Sequence, residues 1–595
     1  MPALSTKACF AAAAVAALLA PLPKGTTSGS PGAELAALVC LRLALLCAVV
    51  VAYVSVPMVH ALWRYRSIPG PWPLPVFGNA IAIRKGNIDE VYAEWEKRYG
   101  GVFKWFLCGT VVIVCSDLEL ARELCLRKFS DFMNHAQAPE SVVAFFPKAV
   151  HKQFKLGLDV AQGMYWKGLR STASSIFHNV DKMTTFRPLM SGAANELADR
   201  LGDVKDGQVV DIWKALGDMT LDVVGSTVFG IRFNCIKNKS SDAVKAARLL
   251  ISSFSMKFSS NPYLGIGVML PPLTPILVRL GRAFPTKQMK ELEWASAYLA
   301  SLSSTMFDKA AQTTGNNNSN VGASGKDTTG VAGAPSSEYE YVGESFLKLF
   351  IEAHNRETGD SLNKDEVTAQ AFIFLLAGYD TTANTLAFAI YLLTKNKDKE
   401  AAMIEEIDRL SNTEVAALDD MEEYEYVEAV VKESLRLYGP APLTDRVATR
   451  TTEVKGYTIH KETPVHIPFR NLHHNAKHFP DPEKFLPERF LPRSNEYGKQ
   501  NRRAFVPWGM GPRMCVASNF ALTEAKLALI TLYKKYTFSL SPSYTFQPKM
   551  KATLNPTGGV QVLVHRRVLP TDLKGLGRRP RRNASIKNLF RMHQE

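Results

Sequence analysis

Cysteine is scarce in this chain. The 595 residues hold eight, at Cys9, Cys40, Cys47, Cys108, Cys115, Cys125, Cys235 and Cys515. No two form a CxxC pair, which removes a zinc ribbon, and the spacing suggests no disulfide framework, so a reducing compartment is expected for the folded part. Acidic charge is also short: 71 Lys+Arg stand against 56 Asp+Glu, a net +15. No internal repeat at a fixed period is apparent. What remains is ordinary for a globular protein, with 46% hydrophobic and 21% charged residues. That excludes a wholly disordered chain and a collagen. At about 100–200 residues per domain the length allows about four domains. It also allows a core large enough to enclose a deep apolar cavity. The excess of base fits nucleic acid, an anionic membrane surface or an acidic protein, and the sum does not choose among them.

The ends differ from the middle. Residues 1–34 read as a leader, signal- or transit-like, with an Ala-rich apolar run from Cys9 to Leu22. Residues 35–63 read as a transmembrane anchor. The run LALLCAVVVAYVSVPMV, Leu43 to Val59, carries no charge; extended back over ELAALVCLR it is long enough to cross a bilayer, with Arg42 able to snorkel. Arg64 and Arg66 follow, and the positive-inside rule then puts the rest of the chain in the cytosol. A cleaved signal peptide is the competing reading. In Lys309–Val342, 17 of 34 residues are Gly, Ser, Thr or Asn. Such a segment buries too little to offset its ordering entropy, and it reads as a flexible insertion at 309–342 inside one domain, with a domain linker as the rival. The tail 566–595 holds nine Lys/Arg against Asp572 and Glu595, a net +7. Nuclear localisation or nucleic-acid binding is one reading; contact with anionic lipid is the one that accords with an anchor. Between them, residues 64–565 alternate amphipathic helical stretches with shorter β-like runs at Val102–Cys115, Glu453–Ile467 and Gly559–His565. This predicts a mainly α domain with minor β.

Four constellations in this middle region carry chemistry. Phe505-Val-Pro-Trp-Gly-Met-Gly-Pro-Arg-Met-Cys515 precedes the helical pattern NFALTEAKLALITLYKKY. Gly509, Gly511 and Pro512 break regular structure, so Cys515 falls where a helix begins. Amide N–H groups and the helix dipole there favour a thiolate, which is what an axial iron ligand needs. Arg513 is placed to pair with a carboxylate of a cofactor. Second, AFIFLLAGYDTTANTLAFAIYLL holds Gly378, Asp380 and Thr381. It is nearly long enough for a second membrane helix, but a mid-bilayer Asp is costly. In a buried helix the acid and alcohol make a local opening and a proton path. Third, Glu433 and Arg436 share a helix face three residues apart, 53 residues after Asp380. Fourth, Trp166 and Arg170 sit one turn apart and present two donors to one anion.

Trp508-x-x-Gly511-x-Arg513-x-Cys515-x-Ala517 resembles the haem-binding loop of the cytochrome P450 superfamily. The family pattern has Phe where this chain has Trp508 and Gly where it has Ala517. Trp508 would turn its indole N–H toward the thiolate, and Ala517 would slightly crowd the haem. The resemblance extends in order from Ser67 to Val564 and implies the P450 fold: a helical haem domain with small β-sheets behind an N-terminal membrane anchor. Its wording (WKGLRS, FALTEAKLALI, ETGDSLNKDEV) is similar to the clan of animal drug-oxidising enzymes and thromboxane synthase, and plant carlactone-oxidase-like enzymes look similar too. The resemblance implies haem b, ligated by Cys515 as axial iron ligand. Arg513, Trp508, Trp166, Arg170, Arg446 and Gly511 would form the cofactor site. Thr381 would hydrogen-bond bound dioxygen and Asp380 would relay protons to it. Glu433, Arg436 and Arg489, the last from Phe485-Leu-Pro-Glu-Arg-Phe490, would form a structural clamp.

The implied activity is a membrane-bound haem-thiolate monooxygenase acting on an apolar organic substrate. Electrons would come from NADPH through an NADPH-cytochrome P450 reductase or another donor, because no flavin domain is appended. Membrane lipid is an expected partner and nucleic acid is not. Arg513 and Lys526 would favour an acidic reductase surface. The endoplasmic reticulum is the expected location, with a plastid open. Two alternatives stand beside this: a P450-type isomerase or dehydratase acting on a peroxide without external electrons, and a non-catalytic haem-binding protein. Pro69 to Pro75, ending in Gly78-Asn79, resembles the family's proline-rich hinge and would act as a semi-rigid spacer. His473, His474 and His478 suggest a metal site weakly, having no partner Cys or carboxylate pattern. Substrate contacts are expected around His135–Lys152 and Ser252–Leu273. Without leader, insertion and tail, the length amounts to one catalytic domain rather than four.

Overall fold

The computed structural model describes residues 31–567 apart from 86, 108, 139, 238–241, 254–260, 270–272, 314–342, 354–361, 411–420 and 552. Residues 1–30 of the leader, most of the 309–342 segment and the tail beyond Arg567 lie outside the described residues. The helices that position the site are Pro31–Arg64 (α1), Gly163–Phe177 (α2), Arg187–Gly202 (α3), Ile212–Val224 (α4), Lys287–Thr313 (α5), Lys364–Lys395 (α6), Glu425–Tyr438 (α7) and Ser518–Lys535 (α8). The strands are Val102–Leu107 (β1), Thr110–Cys115 (β2), Val209–Asp211 (β3), Leu443–Val447 (β4), Thr452–Val454 (β5), Tyr457–Ile459 (β6), Pro464–Pro468 (β7), Tyr536–Leu540 (β8), Pro548–Met550 (β9), Leu554–Pro556 (β10) and Gln561–Arg566 (β11).

Helix α6 organises the molecule. Asn363 caps it in a reciprocal box: its side chain accepts from Glu366 N–H, and Glu366 accepts from Asn363 N–H. Beyond the first turn it is apolar on every side, so it has to be enclosed. By length and composition it could cross a membrane, but two-thirds of its most apolar stretch (67%) is buried inside the protein. Helices α4, α5, α7 and α8 pack around it. The Asp380 that makes a bilayer span costly is thus accommodated in a soluble core. The helix runs unbroken through Gly378, and Thr381 and Thr385 back-bond their hydroxyls to the carbonyls of Ala377 and Thr381.

The sheets are small and sit at the margins. One runs β1-β2-β7-β4, with β2 and β7 parallel and the other pairs antiparallel. A second runs β3-β11-β8, and β9-β10 and β5-β6 are hairpins. The β-like runs read from the sequence contain β1, β2, β5, β6, β7 and β11. Strands β3, β4, β8, β9 and β10 were not legible. They run only three to five residues, too short for an alternation to mark them, and β3 pairs with β11 across some 350 residues.

Three boundaries move. Helix α5 continues through Thr313 with Ala310 buried, so the first five residues of the 309–342 segment are folded. Alanine is a good helix former, and composition counting does not see it as part of the preceding amphipathic pattern. At the other end Arg566 lies in β11, and Arg567 donates to Tyr533 O (2.6 Å) and pairs with Asp408 (2.6 Å). These two arginines belong to the domain, not to the tail. The helix over the proposed anchor starts at Pro31, inside the expected leader, and ends at Arg64. The proline-rich segment after it is no free spacer. Pro69 O accepts from Lys104 N–H (2.8 Å) and Asn79 side chain and backbone bracket Phe106, which lays the segment against β1.

A buried ion triad ties the fold to the loop before Cys515. Arg436 on α7 donates twice to Glu433 (2.8 Å each) and Arg489 donates to the same carboxylate (3.3 Å). All three side chains are at most 1% exposed. Two cations share one anion, and backbone carbonyls take up the surplus: Arg436 also reaches His473 O (2.9 Å), Pro482 O (2.7 Å) and Lys484 O (3.0 Å), and Arg489 reaches Asp481 O (2.8 Å). His473, held in this way, accepts Val506 N–H on Nε2 at 3.0 Å. Burial keeps its imidazole well below the usual histidine range, so it stays neutral and can accept. Removing one partner of a buried charge cluster costs about 3–5 kcal/mol. Glu433→Ala is expected to lose that much in urea unfolding; a loss below about 1 kcal/mol, the value of a surface pair, refutes the clamp.

Candidate active site

The loop from Val506 to Ala517 is built around two left-handed glycines, Gly509 (φ 84°) and Gly511 (φ 74°). Gly511 is required for a second reason: a Cβ there would overlap the carbonyl oxygen of Cys125. The turn sends Cys515 N–H back to Trp508 O at 2.8 Å. Helix α8 begins only at Ser518, so Cys515 stands three residues ahead of it. Burial pushes the Cys515 thiol up, and the Ala517 amide and the Arg170 guanidinium draw it partly back. The helix end alone therefore does not secure a thiolate; desolvation of the free thiol outweighs it. Ala517 sits at φ −99°, ψ 21°, a conformation open to any residue, so glycine is not needed there.

Cys515 opens on a cavity of about 360 Å³. Leu158, Ile373, Phe374, Leu376 and Ala377 give it an apolar wall, and Asp380 and Thr381 of α6 face it with Thr553. The Thr381 hydroxyl donates to Ala377 O at 2.6 Å. Asp380 accepts from Asn384 Nδ2 (3.1 Å) and from the Thr553 hydroxyl. Burial raises its carboxyl, and these two donors, with Lys551, hold it lower than burial alone would.

The same cavity has a cationic side. Arg170, from α2, donates to Met514 O at 2.7 Å. Arg513 lies over the Trp166 ring, 4.1 Å from its centroid, and donates to Met133 O (2.9 Å) and Ala161 O (2.6 Å). Arg446, on β4, is 1% exposed, and its Nε has no partner. Burial and the nearby Arg446 draw Arg513 down to about 9. Among the described residues none of these three arginines forms an ion pair. A flat group bearing carboxylates fits such a wall: it would neutralise three cations that backbone dipoles only partly satisfy.

Trp166, Arg170, Arg513, Cys515, Asp380 and Thr381 therefore meet in one place, with Arg446 behind them. Two expected cofactor residues do not. Gly511 is turned against Cys125 and shapes the loop. Trp508 reaches Cys515 through its carbonyl, and its ring packs on the main core, away from the cavity lining. Lys526 is no docking cation either: it is 4% exposed and paired with Glu428 at 2.8 Å. His474 bonds Glu483 and Leu437 O, and no metal-binding cluster of His, Cys, Asp and Glu occurs among the described residues. Among the described residues of the two expected substrate windows, only His135 lines the cavity, its ring bonded to Asp445 at 3.3 Å. Leu158, Asp159 and the α6 residues Ile373, Phe374, Leu376 and Ala377 were missed, as were Asn384 and Thr553. A buried Asn one turn after Asp380 was the available signal for Asn384; nothing local marks Thr553.

A family model described as Cytochrome P450 matches residues 68–564. Cytochrome P450 3A6 of Oryctolagus cuniculus is 30% identical over 499 residues, 82% of this chain and 89% of that protein. Cytochrome P450 3A7 of Homo sapiens is 29% identical over 488 residues, 80% and 87% of the two chains. Cytochrome P450 3A1 of Rattus norvegicus is 28% identical over 486 residues, again 80% and 87%.

The loop geometry predicts that Gly511→Ala costs about 1–3 kcal/mol in backbone strain before any repacking against Cys125. The check is a lowered melting temperature with unchanged helical circular dichroism; a wild-type melt refutes the close approach.

Proposed function

The chain belongs to the cytochrome P450 family of haem monooxygenases, and on that premise we propose a membrane-bound enzyme that inserts one oxygen atom of O2 into an apolar organic substrate, with electrons passed from NADPH by a flavoprotein reductase. The observation that carries the reading is that Cys515 and the Asp380–Thr381 pair open on one cavity. The residues fit haem b: the Cys515 sulfur, open to the cavity, would hold the iron, and Arg170, Arg513 and Arg446 would hold its carboxylates. When bound, the haem would supply the activation of dioxygen and the insertion of one of its oxygen atoms into a carbon–hydrogen bond, the other leaving as water.

The chain's own residues do the rest. Cys515 would hold the iron through its sulfur, and the Ala517 N–H beside it favours the thiolate. Trp166 buttresses Arg513 from its ring face. Leu158, Ile373, Phe374 and Leu376 hold an apolar substrate and keep bulk water out. Asp380 holds a proton at its carboxyl, and the Thr381 hydroxyl, one residue on, passes one to the reacting oxygen. An acid–alcohol pair facing the cavity has no task in rearranging a peroxide, so that alternative is not favoured.

Membrane attachment is supported by α1 and by the apolar surface beside it, where Trp63 is 66% and Trp72 85% exposed. Interfacial tryptophans beside a long apolar helix suit the headgroup level. We place the enzyme on the endoplasmic reticulum with the catalytic domain in the cytosol. For the reductase, Arg502 and Arg503 are exposed on the segment leading into the Cys515 loop and take the role expected of Arg513 and Lys526.

Reduced protein under carbon monoxide is expected to show the red-shifted Soret band of thiolate ligation, and Cys515→Ala to abolish it. A normal band in that variant removes the ligand. Thr381→Ala is expected to keep the haem and lower product per NADPH by roughly 10²-fold, the scale of a positioned proton donor. Unchanged coupling removes the hydroxyl from the proton path.

A further inference from the structure

We propose that Thr553 and Asn384 are positioning residues for Asp380, and that Trp213 sets the direction in which the Asn384 amide works. The inference rests on the reading of Asp380 as a proton carrier and names the groups that hold it in place. Two donors converge on one carboxyl oxygen, and a third side chain orients one of them. The Thr553 hydroxyl, from the turn between β9 and β10, donates to Asp380 Oδ2. Asn384, one turn along α6, donates its Nδ2 to the same oxygen at 3.1 Å and to Thr553 Oγ1 at 3.0 Å. Asn384 Oδ1 in turn accepts the Trp213 indole N–H of α4 at 2.6 Å.

The indole fixes the chemistry. An amide side chain can present oxygen or nitrogen on either side, but an indole N–H only donates. Trp213 therefore claims the amide oxygen and leaves the NH2 to face Asp380. Asn384 is fully buried, so water offers it no substitute. Were the amide reversed, its oxygen would face the carboxylate and an N–H would face an indole N–H. Both contacts would be repulsive.

The turn that carries Thr553 is itself anchored, since Leu554 N–H donates to Pro440 O at 2.8 Å just beyond α7. Among the described residues every hydrogen bond to the Asp380 carboxyl falls on Oδ2. Oδ1 is left to take up and release a proton in the cavity. Donors to a carboxylate favour its charged form, and here they oppose burial. The other titratable groups acting on it are Lys551, from the same turn, and Tyr379, beside it on α6. Arg170 and Arg513 share the cavity.

The test is a pH titration of the Asp380 carboxyl by infrared difference spectroscopy on the full-length haem protein. The band is identified by its loss in Asp380→Asn, and coupling and substrate-binding spectra are measured in parallel. Thr553→Val removes the hydroxyl with little change of shape. It is expected to raise the titration midpoint, making proton affinity roughly tenfold higher, and to lower coupling. Thr553→Ser restores both, and Trp213→Phe shifts the midpoint in the same direction by less. A wild-type midpoint in both Thr553→Val and Trp213→Phe overturns the proposal. So does a Thr553→Val variant that changes only substrate affinity, since Thr553 is then a substrate contact. If Asp380→Asn leaves coupling intact, the functional reading of Asp380 fails, and the infrared midpoint still decides whether Thr553 positions it.

Discussion

The Glu433–Arg436–Arg489 triad is the constraint on which the rest depends. One buried carboxylate holds two buried guanidinium groups, and the surplus positive charge is spread over the carbonyls of His473, Asp481, Pro482 and Lys484. Charges that deep are tolerated only when fully hydrogen-bonded. The requirement pulls a long irregular segment against α7, and neutral His473 carries the restraint onward to Val506. An irregular loop is thereby held as firmly as a helix. That matters because the loop carries Cys515, and a site residue displaced by about an ångström loses its geometry.

The cavity shows the complementary principle. Where the triad is closed, the arginines of the cavity are left open. Arg170, Arg446 and Arg513 have backbone acceptors but no anion. Keeping three cations together, with Arg446 fully buried, suits a dianionic partner better than it suits the protein alone. Opposite them, α6 sets an acid and an alcohol in an otherwise apolar wall, where a low dielectric strengthens every hydrogen bond made to the acid.

Much of this was legible in order along the chain. Glycines before a helix marked the Cys515 loop, and Gly511 and Gly509 do adopt the left-handed conformation that only such residues favour. The Glu433 and Arg436 spacing placed both on one face of α7. The apolar run around Asp380 was readable as a helix, and the acid within it argued for a core helix over a membrane span; the packing of α4, α5, α7 and α8 around it agrees. Local pattern also erred by counting. Alanines 310 and 311 looked like part of a low-complexity segment, and Arg566 and Arg567 looked like tail. In each case long-range contacts had extended a regular element past the point where composition changes.

By itself the sequence determined the family and the mainly helical class, because glycine conformations, helix-face spacing and ligand type are local properties. The tertiary structure alone decided which of the chemistry-bearing residues face the cavity. It turned Gly511 to a carbonyl and Trp508 to the core, closed Lys526 in an ion pair, and brought Thr553 to Asp380 across 173 residues and Trp213 to Asn384 across 171. The physical reason is that a side chain's role follows from what surrounds it, and pairing across a fold obeys no short period that a linear reading can detect.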